Sequence, residues 1–244
     1  MGVILNHDSS WRNGYLIIGG IQFLLVIILF LSLPLWRQNE KAISHESGET
    51  ASSLRTLLKQ RGVFFSLLSF LFYVGVEGTI FLWGSSYLIE VKSFTIATAS
   101  FILSIFFASL TVGRLVSGFI TFWLSNHKLL VFSEIALLMG ILIVAFGTGS
   151  VLYGGFILIG LGCAAIFPTM IHETPSRFGA KDSRTIMGFQ VASGYVGITA
   201  LPPLLGLLFQ HFSMNLFPFF LIVFTLILLG ATIVIDKPRK VKNL

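Results

Sequence analysis

Seven stretches of this sequence are long enough and apolar enough to cross the hydrocarbon core of a lipid bilayer. An α-helix needs about 20 mostly apolar residues for that crossing. Of all residues, 55% are hydrophobic and only 11% are charged, whereas about 25% are charged in a typical soluble domain. The chain is therefore predicted to be an all-α integral membrane protein. Its seven transmembrane helices are predicted at approximately residues 14–36, 63–89, 95–124, 128–148, 151–172, 185–209 and 213–235.

The lysines and arginines are distributed unevenly between the two sides of the predicted membrane. If the N-terminus lies outside, 14 of them fall on the inner side, and only Arg12 and Lys92 fall outside. Loops rich in lysine and arginine stay in the cytoplasm, so the chain is predicted to have its N-terminus out and its C-terminus in. The same bias accounts for the net charge of +6, and we expect no nucleic-acid partner.

A long polar stretch, residues 37–62, separates the first predicted helix from the other six. It is predicted to be a cytoplasmic linker, with a short amphipathic helix around Leu54, Leu57 and Leu58 on the membrane surface. We place the whole chain in the cytoplasmic membrane of a bacterium, with the lipid bilayer as its surroundings. The predicted organisation is a lone transmembrane helix at 1–36, the linker at 37–62, a six-helix half-bundle at 63–236 and a basic cytoplasmic tail at 237–244.

Several classes of membrane protein need residues that this sequence does not contain. A retinal protein needs a lysine inside the bundle for its Schiff base, and the apolar cores of the predicted spans have none. The sequence HETPS at 172–176 departs from the H-E-x-x-H of zinc proteases, and no serine has the G-x-S-x-G frame of a hydrolase. The one cysteine, Cys163, permits no internal disulfide and no cysteine-based zinc cluster. We expect no enzymatic activity, no metal and no cofactor.

A glutamate lies near the middle of the second predicted helix, in the stretch FLFYVGVEGTIFLWGSSYL at 70–88. Helical spacing places most polar residues of this helix within one arc. An ionisable group inside a membrane faces protein or a wet cavity and is functional by default. We interpret the arc as the wall of a cavity that binds solute or a proton; the alternative is a neutral acid that joins two helices. The candidate residues on this helix are Tyr73, Glu77, Trp83 and Tyr87.

The sixth predicted helix carries a second set of candidates. Gln190 and Ser193 share a face with two glycines at the i, i+3, i+4, i+7 spacing. Their side chains could bond a hydroxylated solute, or they could bond a neighbouring helix. Pro202 and Pro203 are predicted to kink this helix as a hinge, or to mark its end. Glu134, in the fourth predicted helix, is expected at the cytoplasmic interface.

Glycine, small polar residues and proline recur in the long apolar runs of four helices, which favours a transporter. The segments YVGVEGTIFLWGSSYL, GRLVSGF, GLGCAAIFPTMIHETPSRFG and GFQVASGYVGITALPPLLGLL, in this order and spacing, resemble the fucose-permease-like branch of the major facilitator superfamily. The resemblance covers essentially the whole chain, as helices six to twelve of such a carrier. One motif departs from the family pattern. The stretch after the motif GRLVSGF has Phe122 and Trp123 at the positions where the family has an Asp-Arg pair.

The resemblance implies secondary active transport of a sugar or similar small polar solute, with protons as a coupling ion. It also implies that the solute lies between two six-helix halves, so this chain supplies one wall and needs an N-terminal half or self-association. Charges at the inner face close the cytoplasmic side in that family, which implies a cytoplasmic gate at Arg114, Glu173 and Arg177. For these three, snorkelling to the lipid headgroups is the alternative. Other functions left open are multidrug efflux and a truncated product that transports nothing alone.

The predicted orientation can be tested by labelling single cysteines. In a Cys163→Ala background, cysteines introduced at Ser47 and Lys181 should resist a membrane-impermeant thiol reagent in intact cells and react after lysis, because both positions are predicted to be cytoplasmic. Labelling of either position before lysis would reverse the predicted topology.

Overall fold

The computed structural model describes residues 11–43, 57 and 61–236. In these ranges seven helices are long and apolar enough to cross a membrane, which confirms the predicted all-α fold with seven spans. The orientation in the membrane stays a prediction. The helices are α1 Trp11–Ile43, α2 Arg61–Glu90, α3 Ile96–Ile120, α4 Asn126–Phe146, α5 Val151–Phe178, α6 Ala180–His211 and α7 Phe217–Asp236, and a 3-10 turn at Met214–Leu216 precedes α7.

The chain divides into two units, Met1–Thr50 and Ala51–Leu244. The first unit contains α1, which has Pro34 inside it and continues to Ile43, past the residue where the linker is predicted to begin. The predicted tail at 237–244 lies outside the described residues, as do Leu54 and Leu58. Leu57 is helical and fully buried, and it packs with Val63 and Ile186 rather than facing the membrane surface. The division into lone helix, linker and half-bundle stays a prediction.

In the second unit, six helices pack as two related sets of three. α2 packs mainly against α6 and α7, and α5 packs mainly against α3 and α4. Exchanging α2 with α5, α3 with α6 and α4 with α7 turns the first set of contacts into the second. The exchange relates the consecutive helices α2, α3 and α4 to α5, α6 and α7, and we call these two runs the repeats. Repeats are common in transporter folds, where the solute site lies at their interface. Here they place α2, α3, α5 and α6 around a common space.

Glycines let α5 approach its neighbours on two sides. A Cβ atom on Gly162 would lie 2.5 Å from the backbone nitrogen of Leu137 in α4, and a Cβ on Gly160 would lie 2.6 Å from the carbonyl oxygen of Phe106 in α3. Lipid tails are as apolar as leucine, so helices in a membrane associate through close van der Waals packing and polar contacts. The absence of a side chain at these two positions therefore sets the distance between α5 and both neighbours.

The predicted cytoplasmic loop at 173–184 is mostly helical, which corrects the sequence-based boundary. α5 continues to Phe178 and α6 begins at Ala180, so Gly179 is the single residue between them. Its φ of +90° is available to glycine without a steric penalty, which allows the chain to turn at one residue. Glu173 and Arg177 consequently lie in the last turns of a helix.

Lys92 lies in the short turn between α2 and α3, on the side of the membrane where few basic residues are predicted. Its Nζ donates hydrogen bonds to the carbonyl oxygens of Ala145 and Gly147, at 3.1 and 2.8 Å. These carbonyls end α4, where the helix dipole favours a cation. Burial lowers the pKa of Lys92. The residue therefore has a local structural reason to depart from the positive-inside bias.

The packing of α5 on α4 generates a stability test with an internal control. Gly162→Ala should lower the thermal stability of the chain, because overpacking a tight contact costs about 1–3 kcal/mol. Gly154→Ala in the same helix should leave stability unchanged or slightly raised, since nothing lies within 4 Å of its added Cβ and alanine favours helix. Size-exclusion chromatography after heating measures both variants. Equal melting temperatures would contradict the proposed role of Gly162.

Candidate functional site

A cavity of about 510 Å³ lies among four helices of the second unit. Its volume is in the range of small-molecule sites. Most of its wall is apolar, and the two charged residues among those that line it are Glu77 and Arg114. The lining residues are Val74 and Glu77 from α2, Arg114 from α3, Phe167 and Pro168 from α5, and Val191, Gly194, Tyr195 and Ile198 from α6.

Glu77 and Arg114 form an ion pair across the cavity wall. Arg114 Nη2 lies 3.4 Å from Glu77 Oε1, and the two side chains are 51% and 24% exposed. A charge in a membrane-embedded apolar site is costly unless an opposite charge or a hydrogen bond compensates it. Each residue thus supplies the compensation that the other needs. The role of Arg114 in a cytoplasmic gate with Glu173 and Arg177 stays a prediction.

Tyr73, one helical turn before Glu77, completes the polar cluster. Its side chain is fully buried, and its hydroxyl donates to Glu77 Oε2 at 2.8 Å. The same hydroxyl lies 2.9 Å from the carbonyl oxygen of Cys163 in α5. The cluster therefore connects α2 to α3 through Arg114 and to α5 through Tyr73. The sequence predicts that Tyr73 and Glu77 share a face, and the structure brings them into hydrogen-bonding contact.

Gln190 and Ser193 bond other helices and are not among the residues that line the cavity. Gln190 is buried; its Nε2 donates to Ser66 Oγ in α2 at 2.6 Å. Its Oε1 accepts a hydrogen bond from Thr174 Oγ1 in α5 at 2.9 Å. Ser193 Oγ donates to the carbonyl oxygen of Leu67 at 2.8 Å. These contacts favour the interhelical alternative for both residues.

The aromatic candidates Trp83 and Tyr87 lie further along α2 and also contact protein groups. Trp83 Nε1 donates to the carbonyl oxygen of Pro202 at 2.8 Å. Tyr87 is buried, stacks on Phe217 with ring centroids 4.8 Å apart, and donates to the carbonyl oxygen of Val144 at 3.2 Å. Neither residue lines the cavity, and both fasten α2 to neighbouring helices.

Pro202 and Pro203 lie inside α6, which continues to His211, so they do not mark its end. Their role as a hinge stays a prediction.

Glu173 and Arg177 form an i, i+4 ion pair at the end of α5, and their role as a cytoplasmic gate also stays a prediction. The third gate candidate, Arg114, pairs with Glu77.

The structure contains functional candidates that the sequence alone did not reveal. Phe167, Pro168 and Tyr195 line the cavity, and Tyr195 is 68% exposed. A helical wheel shows which residues share a face of one helix, but it cannot show which faces of α5 and α6 meet α2. Glu134 is fully buried, and its Oε1 accepts a hydrogen bond from Thr232 in α7 at 2.7 Å. Its expected place at the cytoplasmic interface stays a prediction.

Comparison with known proteins is consistent with this arrangement. A model of the Major Facilitator Superfamily matches residues 1–197. A crystal structure of the transporter FucP in the outward conformation has 18% sequence identity and a TM-score of 0.66, over 79% of this chain and 47% of that chain. A variant of the E. coli fucose:proton symporter FucP has 19% identity and a TM-score of 0.62, over 76% and 45% of the two chains.

One curated relative also matches, the bypass of stop codon protein 6 of Saccharomyces cerevisiae. It is 38% identical over 76 residues, which are 31% of this chain and 15% of the yeast protein. The chain thus spans less than half the length of the yeast protein and of FucP. At these identities, the likeness to the solved structures concerns the fold.

The contacts of Gln190 generate a test that separates fastening from solute binding. Gln190→Leu should lower the stability of the solute-free chain by about 1–3 kcal/mol, because Ser66 and Thr174 lose a buried hydrogen-bond partner. Gln210→Leu, at an exposed position of the same helix, should change stability little. Thermal melting without solute measures both. If the two variants melt alike, Gln190 is not a fastener.

Proposed function

The chain belongs to the Major Facilitator Superfamily, and on this premise we propose that it forms one wall of a secondary transporter for a sugar or similar small polar solute, driven by protons. The observation that carries the proposal is the Glu77–Arg114 pair on an otherwise mostly apolar cavity. Sites for small molecules are typically apolar, with a few polar groups that orient the ligand. The solute is moved unchanged, without catalysis, between the two sides of the bilayer.

The position of the pair favours a role in coupling. The cavity is lined by α2 and α3 from the repeat α2–α4 and by α5 and α6 from the repeat α5–α7. Secondary transporters hold solute and coupling ion at the interface of such repeats. Glu77 is the carboxyl group among the lining residues, so it is the proposed proton carrier. The fold is similar to that of FucP, a fucose:proton symporter of E. coli. This similarity supports the proposed proton coupling and the proposed location in a bacterial cytoplasmic membrane.

A second wall is needed for transport. Tyr195 lines the cavity and remains largely exposed, so the cavity is open on that side within the second unit. We propose that an N-terminal half, or a second copy of this chain, covers it. Alternating access needs two bodies that move about a shared site, and the chain alone should therefore transport poorly.

Multidrug efflux is the second candidate function. The observation that favours it is the number of apolar groups in the lining, among them Val74, Phe167 and Ile198. A membrane ion pair is costly to retain in a site that needs only apolar contacts. The pair therefore favours a polar solute over an apolar one.

Replacement of Glu77 tests the proposed coupling. Glu77→Gln keeps the size and much of the hydrogen bonding of the side chain but cannot titrate. In liposomes that contain this chain with an N-terminal half, proton-driven accumulation of solute should collapse, while exchange of solute at equal concentrations persists. Uptake of radiolabelled solute with and without an imposed pH gradient measures the difference.

Two controls make this measurement specific. Liposomes with the chain alone should show little saturable uptake. Glu134 is a buried glutamate outside the cavity lining, so a folded Glu134→Gln variant should retain the dependence of uptake on the pH gradient. Accumulation at the wild-type level by Glu77→Gln, at matched amounts of protein, would refute the coupling role.

A further inference from the structure

Most hydrogen-bond donors of the Arg114 guanidinium group have no partner within the described part of the chain. The group has five N–H donors, and its one hydrogen bond within the described part of the chain is the 3.4 Å contact from Nη2 to Glu77 Oε1. A charge-assisted bond of this type is usually about 2.7–2.9 Å long, so the contact is a loose one. The side chain is half exposed and lines the cavity. Arg114 can therefore bind a further anion without breaking a strong bond.

We propose that the transported solute carries a carboxylate, that Arg114 binds this carboxylate, and that Glu77 takes up a proton when the solute binds. The solute class is then a sugar acid or a comparable small hydroxylated monocarboxylate. This inference rests on the proposed transport function and specifies its substrate and its stoichiometry. The planar guanidinium matches the two oxygens of a carboxylate in a bidentate contact.

Charge balance in the cavity links the solute to the proton. With Glu77 ionised, the Glu77–Arg114 pair is neutral, and a bound carboxylate would leave one uncompensated negative charge. Such a charge is costly in a membrane-embedded apolar site. One proton on Glu77 removes it, because Arg114 then pairs with the solute carboxylate alone. Anion and proton therefore bind together, one for one, and the loaded cavity is neutral.

Glu77 is the group placed to take this proton. The titratable and charged groups near it are Tyr73 on its own helix, Arg114 on α3 and Cys163 on α5, while Tyr195 on α6 lines the same cavity. The described side chains of α7, which also packs on α2, include no ionisable residue between positions 217 and 235. Tyrosine and cysteine are neutral near pH 7 when unperturbed. Glu77 is thus the acidic group at the cavity.

The hydroxyl of Tyr73 provides a hydrogen-bonded place for the added proton. A hydroxyl has one proton to donate, yet Tyr73 Oη lies 2.8 Å from Glu77 Oε2 and 2.9 Å from the Cys163 carbonyl oxygen. When Glu77 is ionised, Tyr73 donates to Oε2. When a proton from the surrounding solution is added to Oε2, Glu77 donates to Tyr73 Oη, and Tyr73 donates to the carbonyl, which can only accept. Both protonation states are satisfied by the same heavy-atom positions.

The proposal can be tested with pairs of compounds in which one member has a carboxylate where the other has a hydroxymethyl group. The probes are D-glucuronate with D-glucose, D-galacturonate with D-galactose, and L-lactate with propane-1,2-diol. They are added to this chain assembled with an N-terminal half. In at least one pair the acid should raise the melting temperature and the neutral partner should not. In weakly buffered solution, a pH indicator should report about one proton taken up per acid bound.

Variants assign this binding to its residues. Arg114→Gln should weaken binding of the acid by about 10- to 100-fold, because hydrogen bonds between charged groups are lost. Arg114→Lys should weaken it less, because the charge remains without the bidentate geometry. Arg184→Gln, which removes an exposed arginine outside the cavity lining, should leave binding unchanged. Glu77→Gln should bind the acid without proton uptake.

Three outcomes would overturn the proposal. The acid and its neutral partner could bind equally well, or none of the acids tested could raise the melting temperature. The third outcome is that Arg114→Gln and Arg114→Lys both bind the acid as tightly as the wild type. Transport assays distinguish this failure from failure of the proposed function. If neutral sugars are still accumulated under a pH gradient, the carboxylate inference fails alone. If neither sugars nor acids are transported by the assembled carrier, the proposed function fails as well.

Discussion

Hydrocarbon cannot form hydrogen bonds with a peptide group, and this constraint governs the structure at every level. A backbone that crosses a bilayer must satisfy its own donors and acceptors, so each apolar stretch of this chain becomes a helix. The same constraint acts on side chains. The described serines and threonines within the spans largely donate to backbone carbonyls one turn away, as Thr79 does to Gly75 and Thr225 does to Leu221. Polar groups that bond across helices are few, and each of them joins specific partners.

Close packing replaces the hydrophobic effect as the force between these helices. Gly160 and Gly162 bring α5 next to α3 and α4, and Gln190 connects α6 to α2 and α5 through two side-chain hydrogen bonds. Glu134 and Thr232 form a similar contact between α4 and α7. Most of the polar residues that look functional in the sequence therefore hold the bundle together. The Glu77–Arg114 pair differs from these contacts, because it is partly exposed on a cavity.

That pair gives the cavity a property that apolar packing cannot supply. An ion pair between two helices responds to both protons and anions, since either one changes the charge that the other residue must balance. Tyr73 extends the response to α5 through its hydroxyl. In a carrier that alternates between two open states, a site of this kind can bind solute and coupling ion in one step. Membership of the Major Facilitator Superfamily is consistent with such a mechanism.

The sequence by itself determined the class of fold, because the number and length of apolar runs decide how many helices cross a membrane. It also identified Glu77 and its neighbour Tyr73, since a carboxyl group within an apolar run is conspicuous and helical periodicity relates residues on one helix. Only the tertiary structure decided that Arg114 is the partner of Glu77, that Phe167 and Tyr195 share their cavity, and that Gln190 faces protein. These facts depend on which faces of separate helices meet. Periodicity within one helix contains no information about its rotation against another, and that rotation is set by the close contacts of glycines and by hydrogen bonds between distant residues.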